Sequence, residues 1–177
     1  MRLTDPLRKL GQTCLFCLSI AYSPLSFSDV LISGVVQAVF SGDQLLIVNP
    51  DLGQQPVRLA QIDAPELALG SCKSQPWAEV AQKALSQQIL GVSVQANCLE
   101  RLDSEGFALC QVFALGENIN QWMLTQGHAW FDKTLGNNIW LQQLEQEAKR
   151  KRQGLWANSA SLVPPWIQRS QCLVNKR

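Results

Sequence analysis

Four polar side chains have the types and spacing to do chemistry together: Asp43, Arg58, Asp63 and Glu66. Asp43 follows Gly42 in a turn, and Asp63 and Glu66 bracket a proline in Ile62-Asp63-Ala64-Pro65-Glu66. Two aspartates from separate loops, with a backbone carbonyl and waters, suit a hard cation such as Ca2+. An arginine beside such an ion can hold a phosphate through a two-pronged hydrogen bond. A glutamate in the same place can orient or deprotonate a water for attack on phosphorus. The same residues also suit a strand that runs into a solvated acidic turn, and residue types alone do not choose between the two.

The elements that must position these groups follow from the pattern of apolar residues. Val57-Arg58-Leu59-Ala60-Gln61-Ile62 reads as a strand. Pro65 removes a donor and pushes Ala64 toward an extended conformation, so the ladder stops there and the carboxylates sit just past a strand end. Strict alternation would place Arg58 and Asp63 on opposite faces, so their convergence requires a bend near Gln61. Upstream, Val30 to Phe40 and Gln44 to Val48 are strands separated by Ser41-Gly42-Asp43, and 49–53 is a turn. Three short strands in succession predict a meander or small barrel.

From Ser74 the period becomes helical, with Pro76 in the first turn, Trp77, Val80, Ala81, Ala84 and Ile89 on one stripe, and Gly91 as the stop. Residues 92–98 and 107–114 form a hairpin around Asp103-Ser104-Glu105-Gly106. Asn118 caps a short helix ending at Gly127, and Asn138 caps a longer one over 139–153. The core stripe of that last helix is Leu141, Leu144, Ala148 and Leu155. Glu145 and Glu147 stand four residues before Lys149 and Lys151. The basic run Lys149–Arg152 falls in the helix's last turn, where it suits the dipole. Residues 161–177 read as an irregular tail.

The whole chain of 177 residues is 46% hydrophobic, enough for one domain with a real core. Arg2, Arg8 and Lys9 precede a short apolar run, and Ser26-Phe27-Ser28 offers a cleavage site, the shape of a secretory signal over residues 1–28. An uncleaved anchor or a misread start is the other reading. Cleavage would remove three basic residues and one acidic one, taking the formal charge from +1 to about −1, with no stable membrane anchor left. That charge is not the footprint of a strong nucleic-acid binder. An exported, periplasmic or secreted, monomer is the expectation. Cys72, Cys98, Cys110 and Cys172 remain after the leader, an even set that suggests disulfides. Pairing about the hairpin turn sets Cys98 opposite Cys110 and leaves Cys72 for Cys172, with buried free thiols as the alternative. The single His128 has no ligand-spaced neighbour, which argues against zinc.

From about Val35 to Trp156 the chain resembles the staphylococcal-nuclease-like (thermonuclease) domain. The signs are Gly42-Asp43, Val57-Arg58-Leu59, Ile62-Asp63-Ala64-Pro65-Glu66, Trp77 and Ala81, Asp103-x-x-Gly106, Asn120 through Gly127-His128-Ala129-Trp130, and Gly154-Leu155-Trp156. The resemblance implies an α+β fold, a five-stranded OB-type barrel with three helices, over 29–160. It implies that Asp43, Asp63 and the Ala64 carbonyl bind Ca2+, that Glu66 acts on the attacking water, and that Arg58 binds the scissile phosphate of DNA or RNA.

The departures matter as much. The family's hairpin pattern is Asp-x-Tyr-Gly-Arg, its arginine stabilising the transition state, and this chain has Asp103-Ser104-Glu105-Gly106-Phe107. Phe107 cannot donate to an oxyanion, and arginines in such roles are worth roughly 10³–10⁵ in rate. Glu105 adds negative charge where a polyanion would approach, and Gln44 and Ser41 also depart from the family. Arg101, opposite Phe107 by the same pairing, either supplies the missing guanidinium or is an exposed arginine beside Glu100 and Asp103. Two readings therefore stand: a Ca2+-dependent nuclease weakened at Phe107, or a non-catalytic barrel binding nucleic acid, a protein or an envelope component.

Overall fold

The computed structural model describes residues 30–68, 70, 72–158 and 162–174, so the expected leader over 1–28 lies outside the described residues. A closed barrel is built from β1 (Val30–Val39), β2 (Gln44–Asn49), β3 (Gly53–Leu59), β5 (Ser93–Leu102) and β6 (Ala108–Ala114). Their order is β3-β2-β1-β5-β6, and a parallel pairing of β3 with β6 closes the ring. The first three strands form the expected meander. β3 starts at Gly53, earlier than its apolar run, because Gln54 to Pro56 pair with β2 regardless of side chain. Leu45, Ile47, Val57, Leu59, Val112 and Met123 lie at the centre of the core with essentially no exposure.

Helix α1 (Ala78–Ile89) buries Ala78, Ala81, Leu85 and Ile89. The expected stripe is misphased at one position: Val80 is 44% exposed, and Leu85 fills the core in its place. Trp77 explains the slip, since it caps the helix at φ 75° rather than continuing inside it. Helix α2 (Ile119–Thr125) starts at Asn118, whose side chain accepts from Gln121 N–H, and α3 (Ile139–Arg150) is capped likewise by Asn138. The pairs Glu145–Lys149 and Glu147–Lys151 form at 2.8 and 3.1 Å, so the basic run serves the helix end. The tail departs from expectation. Pro165–Val174 forms a fourth helix, α4, in place of an irregular segment. Pro165 at its first turn is pre-organised for that conformation.

Both predicted disulfides form, Cys98–Cys110 across the barrel hairpin and Cys72–Cys172 between a loop and α4. Among the described residues no helix is long and apolar enough to cross a membrane.

Candidate active site

Asp43, Asp63 and Glu66 converge because three local features force them together. Gly42 is the first. A β-carbon there would lie 2.7 Å from Ala64 Cβ and 2.8 Å from Ala81 Cβ, so only glycine lets the β1–β2 turn press against the Asp63 segment and α1. The second is the bend. Gln61 takes φ 61°, turning the chain out of β3 into the two-residue strand β4 (Ile62–Asp63). The buried Asn120 holds that corner, donating to the carbonyls of Ala60 at 2.9 Å and Cys110 at 3.0 Å. The corner is the bend that the opposite parity of Arg58 and Asp63 calls for, and it leaves Arg58 near Asp43 and Glu66. The third is β8 (Trp130–Phe131), which pairs with β4 and fixes Asp63 opposite Trp130. Just before β8, Gly127 lets the end of α2 pack directly on the segment after α3, because a β-carbon on it would meet the Gln153 carbonyl at 2.3 Å.

Asp43 is buried and accepts from Ser41 Oγ at 2.6 Å. Burial raises its carboxyl above the ordinary range, partly offset by the Ser41 hydrogen bond and by Arg58; Glu66 raises it further. Asp63, 5% exposed, is pushed up to about 6, first by burial and also by Asp43, against the opposing pull of Arg169. Glu66 is raised by burial too. Its backbone exchanges two 2.8 Å hydrogen bonds with Gln75, which close the loop between them. The carboxylates therefore form one electrostatically coupled group.

Arg58 lies close enough to lower the proton affinity of both Asp43 and Glu66, but its direct partners are others. Its guanidinium pairs with Asp103 at 2.9 Å and with Glu105 at 3.0 Å. Phe107 lies beneath it, the ring centroid 5.5 Å from Cζ, with Phe40 edge-on to that ring at 6.2 Å. The residue at the hairpin position is thus a cation–π platform. A cavity of about 300 Å3 opens beside Arg58, walled in part by Arg101, Asp103, Asp132 and Thr134. Arg101 does not face Phe107 as the simple register predicts, because the strands slip after Cys98 and Leu102 pairs with Ala108.

One side chain at the carboxylates has no place in the site expected from the sequence. Arg169 of α4 donates to both oxygens of Asp63, at 2.9 and 2.7 Å, and also to Glu66. The two ends of this ion pair shift in opposed senses: Arg169 is held more firmly protonated, whereas burial keeps Asp63 high. A signal does exist. Cys172, close to one helical turn after Arg169, is bridged to Cys72, six residues after Glu66, so a helical tail would carry 169 toward the carboxylates.

The donor set tests whether a cation belongs here. All three side chains offer oxygen, two are almost fully buried, and their mutual repulsion is the kind that a hard cation offsets. In chemistry they fit Ca2+. Their present arrangement is committed elsewhere: among the described residues, no three His, Cys, Asp or Glu side chains are grouped so as to hold a metal, and Arg169 occupies the oxygens of Asp63.

Comparison with known proteins bears on the family. The family profile described as "Staphylococcal nuclease homologue" matches residues 56–158. A protein of Escherichia coli O157:H7 named "Uncharacterized endonuclease" is 33% identical over 139 residues, 78% of this chain and 85% of the relative. A protein of the same name from Haemophilus influenzae is 30% identical over 138 residues, covering 77% and 72%. A rice protein, Oryza sativa subsp. japonica, named "Probable staphylococcal-like nuclease CAN3" is 34% identical over 110 residues, 62% of this chain and 27% of its own length. A barrel of this topology, a profile match over more than half its length and relatives of this similarity place the chain in the staphylococcal nuclease family.

Proposed function

We propose that the protein is an exported, Ca2+-dependent phosphodiesterase that cleaves DNA or RNA, slowed by the loss of the hairpin arginine at Phe107. The observation that carries the reading is the convergence of Asp43, Asp63 and Glu66, with Asp43 and Glu66 inside the field of Arg58. Asp43, Asp63 and the Ala64 carbonyl would hold the cation, which when bound supplies Lewis-acid polarisation of a phosphoryl oxygen. Arg58 would bind the scissile phosphate, exchanging Asp103 and Glu105 for it. Glu66, its proton affinity already raised, is suited to take a proton from an attacking water. The cavity beside Arg58 leaves room for a nucleotide next to the phosphate. Two disulfides accord with export.

A second reading, a non-catalytic barrel that binds nucleic acid, a protein or an envelope component, is favoured by one specific feature. Both guanidiniums nearest the carboxylates are already paired, Arg58 with Asp103 and Glu105 and Arg169 with Asp63 and Glu66. Hydrolysis of a fluorescent oligonucleotide, with Ca2+ and with chelator, decides between them. Cleavage that needs Ca2+ and disappears in Asp43→Ala supports the enzyme. Absence of cleavage at every Ca2+ concentration supports the binding module.

A further inference from the structure

Residues 72–75, just beyond the carboxylates, carry three fastenings to the C-terminal segment. Cys72 is bridged to Cys172 with their Cα atoms 5.9 Å apart. Lys73 O accepts from Gln168 Nε2 at 2.8 Å, and Gln75 Nε2 donates to Val163 O at 2.7 Å. Gln75 is the residue that also closes the Glu66 loop. Helix α4 is therefore docked on the loop that carries the site, and Arg169 projects from it into the carboxylates.

We infer that Arg169 is a built-in counter-ion of the carboxylate site, occupying Asp63 and Glu66 so that a divalent cation binds only by displacing it. The inference rests on the reading of Asp43 and Asp63 as the cation site. The guanidinium covers both oxygens of Asp63 in the two-pronged geometry that arginine makes best, and holds Glu66 with the same nitrogen that meets Asp63 Oδ1. It is always charged, so no ordinary pH removes it. Tethering keeps its local concentration high, so displacement does not dilute it away. Its side chain is 42% exposed, so it has an open path out toward solvent. Cation entry is thus an exchange of one positive charge for another, with the helix left in place.

The test measures Ca2+ binding by calorimetry on the full-length oxidised chain. A partly exposed pair of this kind is worth on the order of a two- to fivefold change in affinity. Arg169→Ala should tighten the Ca2+ Kd by about that factor, and Arg169→Gln, which keeps length and a polar head, should do the same. Cys72→Ser/Cys172→Ser, which frees the helix without touching the carboxylates, should tighten it by a smaller factor. An unchanged or weaker Kd in both Arg169 variants overturns the inference and leaves the cation site standing. No binding in wild type or in either variant up to millimolar Ca2+ overturns the cation site as well. Circular dichroism identifies a misfolded variant, and the remaining Arg169 variant then decides the outcome alone.

Discussion

The burial of Asp63 makes a quantitative prediction about stability without metal. Its carboxyl moves from the ordinary 3.8 to about 6. At about 1.4 kcal/mol per tenfold change in proton affinity, ionising it in the fold costs about 3 kcal/mol. The folded state binds this proton more tightly than the unfolded chain does. The corresponding stability is therefore complete below pH 3.8 and lost as pH rises through about 6. Asp63→Asn cannot titrate, so it isolates the effect. In urea melts with chelator, the stability of wild type minus that of Asp63→Asn should fall by about 3 kcal/mol between about pH 4 and pH 8. For a domain of this size that is about 6–12 °C in Tm. Asp43 shares the site, so the protons leave in steps belonging to the pair, which spreads the transition without reversing its sign. A flat profile would refute the dominance of burial. A profile rising with pH would mean that the Arg169 pair outweighs desolvation, and the reasoning would then be wrong in sign.

The geometry supports three more expectations. Phe107→Arg should raise the Ca2+-dependent cleavage rate by about 100-fold or more, measured on the same oligonucleotide, below the full worth of such arginines because Arg58 is close by. Gly127→Ala should lower stability by about 3 kcal/mol in urea melts, combining a left-handed φ of 68° with a 2.3 Å clash on the Gln153 carbonyl. Cys98→Ser/Cys110→Ser should lower stability by about 2–4 kcal/mol by the same assay, since it frees a hairpin closed over a separation of 12 residues.

Most of the barrel was legible because its signals are local. β-branched runs broken by Ser41-Gly42-Asp43 and by residues 49–53 specify strands and turns with little tertiary help. The opposed parity of Arg58 and Asp63 even required the corner that Gln61 makes. The hairpin register was legible as far as Cys98–Cys110 and no further. There, Asp103 N–H donates to the Phe107 carbonyl, and Asp103 Oδ1 accepts from the N–H groups of Glu105 and Phe107, so Asp103 and Phe107 close the turn. That closure is one residue longer than the expected turn, and β5 absorbs the slip before Leu102. The tail was illegible for a different reason. Trp166 and Ile167 of α4 are about 40% exposed, so among its described side chains the helix buries no clear apolar stripe, and its attachments are to residues about 90 positions earlier.

The site's electrostatics have the same division. Asp43, Asp63 and Glu66 are brought together by short-range geometry, which a sequence can display, yet burying two carboxylates beside a half-buried third is unfavourable unless positive charge comes too. The barrel's own arginine does not supply enough. Arg58 is turned onto Asp103 and Glu105, and it reaches Asp43 and Glu66 only through space. Arg169 supplies the rest from the far end of the chain. It reaches Asp63 and Glu66, while among the described residues Asp43 keeps the Ser41 hydroxyl and the Ala64 N–H as its hydrogen-bond donors. Asp43 is therefore the carboxylate with the most to gain from an ion, and Asp63 the one that must give up a partner to share it. On the proposed reading, the balance between those two exchanges, more than the identity of any single side chain, sets how readily the site takes a cation.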